Sequence, residues 1–326
     1  MAKSNTKFIS KVKHLSDKLA RDIREGAFPV GAQLPSINTL SDELDVSRDT
    51  VFKAFMELKG RGLIEVNPGK GYFVTAPVTH VLLLLDEYTP FKQDLYAEFI
   101  SGLPENYKVD LLFHQYNERL FNLMVRESAD RYDKYVVMNF YPDRMMPVLD
   151  VLDPDKLLLL DFGDFEKGQL AFVTQDFKDA FEVALHEATP LFRKYRRLNF
   201  VLPESSFHPR AGEEVFSAFC THNSFEGRIL HELTVGTIVP EEAFLVLTLP
   251  DMVTIVKEAR FRDWALGERI GLLAYNEMPS YEVIDKGVTS LSVDFREMGR
   301  LAARFVAFNE KIQTVLPTKL LIRATL

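Results

Sequence analysis

Arg48, Thr50 and Lys53 lie on one side of a short predicted helix that opens at Ser47, while Val51, Phe55 and Leu58 repeat at i, i+4 and i+7 on the other. A guanidinium, a hydroxyl and an ammonium beside a buried stripe have the chemistry to bond phosphate oxygens and base edges in a major groove. Such a helix needs a brace. One is predicted just upstream, carrying Ile37, Leu40 and Leu44, with Ser36 as its N-cap and Asn38 in its first turn. Asp45-Val46 makes the turn, and Ser47 caps the second helix, which runs to about Lys59. Leu63 to Val66, the turn Asn67-Pro68-Gly69-Lys70-Gly71 and Tyr72 to Val74 then form a hairpin, with Gly69, Lys70 and Gly71 at its tip. The elements together form a winged helix-turn-helix, and its expected partner is double-stranded DNA.

A second set of polar groups stands immediately after apolar runs. Asp161-Phe162-Gly163-Asp164 follows four leucines, and Pro203 to Arg210 follows Asn199–Leu202. Thr248-Leu249-Pro250-Asp251 follows Ala243–Leu247, and Ala274-Tyr275-Asn276-Glu277 follows Ile270–Leu273. Glu87, with Lys92 nearby, follows the first run, Val81–Leu85. Runs this apolar read as strands buried on both faces. Further strands are expected at 109–113, 135–138 and 172–173. Helices are expected at 93–101, 118–129, 176–192, 210–221 and 252–259. Repeated strand–helix units demand parallel sheets covered by helices, and ligands in such sheets bind beyond the carboxyl ends of the strands.

The expected organisation is therefore a DNA-binding domain over 1–76, a linker at 77–80 and a larger α/β body over 81–326. Pro77 denies the linker a helix and its shortness leaves little slack, so motion of the body is expected to reach the head. The 326 residues carry 39 Lys and Arg against 47 Asp and Glu, net −8. Residues 1–76 hold 12 Lys and Arg against 9 Asp and Glu, net +3, so the rest carries −11. The asymmetry has the sign a DNA-binding head needs. The single cysteine, Cys220, lies in the apolar run Val215–Cys220; it excludes an internal disulfide and a cysteine-rich zinc site. No apolar run approaches the roughly 20 residues of a membrane span, and the start lacks a signal-peptide core, so a cytoplasmic location is expected. No Walker loop, G-x-S-x-G elbow, H-E-x-x-H or cysteine pair is present, so neither enzymatic activity nor a cofactor or metal is expected.

The first segment resembles the winged-helix domain of the GntR family of bacterial regulators. Leu34-Pro35-Ser36, Val46-Ser47-Arg48, Thr50-Val51, Gly69, Gly71, Phe73 and Val74 match its pattern in order. Many members of that family carry arginine where this chain has Asn38 and Phe52. The body resembles the LacI-type sugar-sensing domain, a two-lobed α/β fold of the type I periplasmic-binding-protein kind. By that likeness Asp164, Arg210, Asp251 and Asn276 would line one cleft, with asparagine at 276 where aspartate is usual and Pro250 where asparagine is usual. The stretches Val288–Ser292, Phe295–Gly299 and Pro317–Arg323 are similar to the same family's closing pattern. Carboxylates accept from vicinal hydroxyls, an arginine fork donates to two at once, and an aromatic face covers the apolar side of a sugar ring; Phe91, Phe162 and Tyr275 are the candidates for that face.

The resemblance implies a regulator, a repressor, governed by a monosaccharide such as a pentose or deoxyhexose and acting as a homodimer away from membranes. A nucleobase or other small metabolite in the same architecture is the alternative, and a winged helix fused to an enzyme is a more remote one. An aminotransferase body needs a longer chain than follows Thr79. The apolar strand runs speak against an all-helical, metal-binding sensor.

Overall fold

The structure, a computed structural model, describes residues 11–76, 78–161, 165–204 and 206–326. The chain divides into two compact units, the first running to Thr79 and including Glu105–Lys108, the second made of His80–Pro104 and Val109–Leu326.

The first unit holds α1 (Lys11–Arg24), α2 (Ile37–Leu44), α3 (Arg48–Gly60), β1 (Ile64–Asn67) and β2 (Gly71–Val74). Sequence analysis did not single out α1, although its Leu15, Leu19 and Ile23 recur at the spacing of one helical face. They join Leu40, Val51, Phe55, Leu58, Ile64 and Val74 in a common core. The two short helices begin where their serines stop the chain. Ser36 Oγ accepts from the Thr39 amide and Ser47 Oγ from the Thr50 amide, each at 3.1 Å. Ser47→Ala is expected to lower the stability of this unit by about 1 kcal/mol, read by thermal unfolding of the full chain. β1 and β2 pair antiparallel, with Glu65 opposite Phe73, and Gln33 adds a bridge to Phe73. Gly71 has φ +120°, and a Cβ there would lie 2.8 Å from Gln33 Nε2, whose amide donates to the Lys70 carbonyl at 2.5 Å. Glycine is the residue that accommodates both the backbone conformation and the contact.

The second unit runs β3 (Thr79–Leu85), α4 (Pro90–Ser101), β4 (Tyr107–Phe113), α5 (Glu118–Ser128), β5 (Lys134–Met138), β6 (Leu157–Asp161), β7 (Ala171–Gln175) and α6 (Asp179–Phe192). It continues with β8 (Arg197–Val201), α7 (Ala211–His222), β9 (Glu226–Leu230), β10 (Glu242–Val246), α8 (Leu249–Phe261), β11 (Ile270–Tyr275) and β12 (Thr289–Ser292). It closes with α9 (Phe295–Phe308), β13 (Gln313–Leu316) and β14 (Lys319–Leu321). Two six-stranded sheets result, ordered β13-β7-β6-β5-β3-β4 and β14-β12-β11-β10-β8-β9, each the centre of a lobe. Both are built on parallel pairing, while β14 runs antiparallel to β12. The chain passes between lobes after β7, after β12 and between β13 and β14.

β6 is buried along its whole length and Val81–Leu85 of β3 likewise, as strands covered on both faces must be. The fold is thus the expected winged helix followed by a two-lobed α/β body, with small shifts at element ends. α6 opens at Asp179 rather than 176, because the Asp176 carboxylate accepts from the Lys178 and Ala180 amides and folds the approach into a turn. β9 and β13, at or beside sheet edges, carry too little apolar patterning to stand out in the sequence.

After the second crossing α9 packs on α4. Their approach is close enough that a Cβ at Gly299 would lie 2.3 Å from the Leu95 carbonyl oxygen. Gly299→Val is therefore expected to cost about 1–3 kcal/mol, seen as a lower denaturant midpoint.

Candidate functional site

In the first unit α3 presents the candidate DNA-reading face. Val51, Ala54, Phe55 and Leu58 point into the core, which leaves Arg48, Asp49, Phe52 and Lys53 exposed. Arg48 makes no hydrogen bond or ion pair among the described residues, so its guanidinium is available at the helix start. Lys53 pairs with Asp49 at 2.7 Å across one exposed turn, a contact that an exposed pair gives up readily. Ser36 and Ser47 spend their hydroxyls on the caps, and the Thr50 hydroxyl lies 2.8 Å from Ser47 Oγ. Asn38 is exposed on α2, and Gly69 and Lys70 are exposed at the hairpin tip, with Gly71 beside them. Phe52 is 44% exposed on the same helix, where an apolar ring has no structural duty.

In the second unit a cleft of about 630 Å³ opens between the lobes. Its walls come from the last residue of β6 and from the carboxyl ends of, or the segments that follow, β3, β4, β7, β8, β10 and β11. That is the position parallel sheets leave for a ligand. At its floor Asp86, 1% exposed, binds the Lys92 ammonium, 3% exposed; it also accepts from the Tyr116 hydroxyl at 2.7 Å and the Glu87 amide at 2.6 Å. Asp161 ends β6 in the left-handed region, φ +67°, and accepts from the Gln175 amide. Burial raises the Asp161 carboxyl to about 6, opposed by the positive charge of Lys92 and reinforced by Asp86. Burial also raises the Glu87 carboxyl, and raises the Tyr116 hydroxyl together with the charge of Asp86. His208 is held neutral: burial, and then the Arg210 charge, lower it to about 3.

Four lining atoms are buried without a hydrogen-bond partner among the described residues: Thr89 Oγ1, Gln175 Oε1, Tyr275 Oη and Asn276 Oδ1. Asn276 also has φ +64°, fixed by its amide donating to the Leu291 carbonyl at 2.7 Å. Aromatic rings complete the wall. Tyr116 and Phe207 stack at 4.4 Å, His208 meets Tyr275 edge-on at 4.7 Å, and Phe91 rests on Phe295 at 4.7 Å.

Of the residues expected from sequence, Glu87, Phe91, Tyr275 and Asn276 line this cleft. Phe162 and Asp164 lie outside the described residues. Arg210 and Asp251 stand apart from the lining, and for identifiable reasons. The Arg210 guanidinium is 44% exposed and is taken up by Glu213 at 2.9 Å and by the Pro203 and Glu204 carbonyls at 3.2 and 3.0 Å. Asp251 closes the start of α8: its carboxylate accepts from the Thr248 hydroxyl at 2.6 Å while its amide donates back to Thr248 Oγ1 at 3.2 Å. Sequence reasoning missed Asp86, Gln175 and Tyr116, and placed Asp161 at a strand end without choosing it as a ligand residue. For the two aspartates a signal existed, since each is the first polar residue after a fully buried parallel strand and so must emerge at its carboxyl end. Gln175 and Tyr116 carried none.

Comparison with known proteins places these two units. The family model described as bacterial regulatory proteins, gntR family, matches residues 11–74. The probable fructoselysine utilization operon transcriptional repressor of Escherichia coli K12 is 36% identical over 182 residues, 53% of this chain and 72% of the relative. The HTH-type transcriptional regulator YjiR of the same organism is 39% identical over 66 residues; these make up 20% of this chain but only 14% of that protein. A LacI family transcriptional regulator from Lactobacillus casei, solved with bound sucrose, superposes with a TM-score of 0.63 at 14% identity, covering 76% of this chain and 99% of that one. At that identity the likeness speaks for the fold of the body. The chain belongs to the gntR family of bacterial regulatory proteins, with a body of LacI-type fold behind its winged helix.

Proposed function

We propose that the protein is a DNA-binding transcriptional repressor whose operator affinity is set by a small carbohydrate held between the two lobes of its body. The observation that carries the reading is the pair of buried, unpartnered acceptors, Gln175 Oε1 and Asn276 Oδ1, in an aromatic-walled cleft of about 630 Å³. A buried acceptor without a donor is costly, and a ring bearing several hydroxyls supplies donors while its apolar face meets the aromatic wall. The sucrose bound by the Lactobacillus casei regulator and the repressor role of the fructoselysine relative support the same reading. A monosaccharide of pentose or deoxyhexose size is the effector best matched to the cleft. Arg48, Asn38, Thr50, Lys53 and the tip residues Gly69 to Gly71 make up the DNA-reading set.

The mechanism is linkage: the sugar binds one arrangement of the lobes better than another, and the arrangement alters how two heads of a homodimer meet a two-fold operator. Residues of the cleft bind and orient in this scheme, and no reaction is assigned to them. A cytoplasmic location follows from the role; no helix among the described residues is long and apolar enough to cross a membrane.

A thermal-shift screen of monosaccharides and nucleobases on the full chain tests the effector class, since a ligand of the native state raises the unfolding temperature. Stabilisation by a sugar is expected; stabilisation by nucleobases alone would replace the reading. For the sugar found, Gln175→Ala and Asn276→Ala are each expected to weaken binding by roughly 1–3 kcal/mol per lost bond, measured by calorimetry. Turnover of that sugar on incubation would add an enzymatic role that this account does not contain.

A further inference from the structure

We infer that the cleft takes only effectors without negative charge, so that the free or amino-bearing sugar is the signal and its phosphate ester or acid is refused. The inference rests on the carbohydrate reading above and narrows it.

The charges facing the cleft do not cancel. Asp86, Glu87 and Asp161 are the lining carboxylates, and Lys92 is the one lining ammonium or guanidinium among the described residues. Asp86 holds Lys92, with both groups buried, so the ammonium is already spent. Arg210, the cation that could have received a phosphate, is not itself in the lining and is bound to Glu213 and to the carbonyls of Glu204 and of the lining residue Pro203. His208 lines the cleft but contributes no charge at neutral pH. Helix starts are the other common anion receptors, and two open here. α4 and α8 each carry proline in the first turn, Pro90 and Pro250, which removes a backbone donor from each. At α8 the Asp251 carboxylate also sits in the first turn, where it offsets the helix dipole.

Besides the unpartnered Thr89 and Tyr275 hydroxyls, which can donate or accept, what the cleft offers is acceptors. Gln175 is 8% exposed, donates its amide N–H to Asp161, and leaves Oε1 unpartnered; Asn276 Oδ1 is likewise unpartnered. Hydroxyl or ammonium donors complement that set, whereas a phosphate or carboxylate would bring more acceptors and more negative charge.

Two measurements on the full chain test this. The first needs no ligand. Asp161 faces Asp86 and Lys92 from the β3–α4 segment, Gln175 from β7, Tyr116 beyond β4 and Tyr275 on β11. Its folded carboxyl titrates above its ordinary value, so between the two values the native state holds a proton the unfolded chain has released, and stability falls as pH rises through that window. Asp161→Asn removes this loss. The variant's unfolding temperature relative to the natural chain is expected to climb between about pH 4 and about pH 6 and to level off above that. A constant difference would mean that the carboxylate is compensated and would overturn the inference.

The second measurement is a thermal-shift and calorimetry panel in which each monosaccharide is offered free, as its 2-amino form, as its 6-phosphate and as its uronic acid. Free or amino forms are expected to bind, with the phosphate and the acid weaker by more than roughly tenfold. A phosphate or uronate that binds as tightly as its parent would overturn the inference. Binding by no member in any form would instead sink the carbohydrate reading, leaving the Asp161 titration to decide the charge of the cleft.

Discussion

Replacing Lys92 by methionine is expected to cost the body about 3–5 kcal/mol, the largest effect of any single substitution considered for this chain. Lys92 and Asp86 are 3% and 1% exposed, so the substitution leaves a carboxylate in a dry site with only the Tyr116 hydroxyl and one backbone amide to support it. Asp86 sits at the end of β3 and Lys92 in the first turn of α4, so the pair also ties the strand next to one sheet edge to the helix that α9 covers. Denaturant unfolding reads the loss directly. The companion measurement is the double variant Asp86→Asn, Lys92→Met, in which no unpaired charge remains. Recovery of most of the loss in the double variant is the expected signature of a coupled buried pair. Equal losses in single and double variants would show that the lysine acts by packing alone.

Arg48→Ala is expected to weaken specific operator binding by about 1–3 kcal/mol for each head that carries it, through the bidentate base contact an arginine at the start of a recognition helix can make. The guanidinium is exposed and has no partner among the described residues, so its removal leaves the fold of the first unit intact. Stability and effector affinity should therefore stay where they are while the operator titration shifts. Lys53→Ala offers the contrast. It pairs only with Asp49 on the surface, and as a phosphate contact its loss should weaken all duplexes alike and lower the salt dependence of binding. A loss of thermal stability in Arg48→Ala would instead mark the residue as structural.

The head was almost fully legible because its determinants are local. Ser36 and Ser47 announce helix starts, and Val51, Phe55 and Leu58 declare the buried side of α3 within one short segment. The body's sheets were legible for the same reason, since apolar runs such as Val81–Leu85 can be little else than strands covered on both faces. The cleft was less so. A strand end can be located in sequence, but which neighbouring side chain turns inward depends on contacts made far along the chain. Arg210 turns toward Glu213 and local carbonyls, and Asp251 is drawn into its own helix cap, whereas Asp161 is aimed by a left-handed backbone and by Gln175, which comes from a neighbouring strand. α1 escaped notice because its role is visible only once α3 supplies the surface on which Leu15 and Leu19 pack.

The most direct test of the account is a titration of operator DNA, at fixed and moderate salt, with and without a sugar that stabilises the body. A coupling of roughly 1–3 kcal/mol predicts a change in operator affinity of about 5- to 150-fold, with the reciprocal change in affinity for the sugar. A ligand that occupies the cleft at saturation and leaves operator affinity untouched would contradict it.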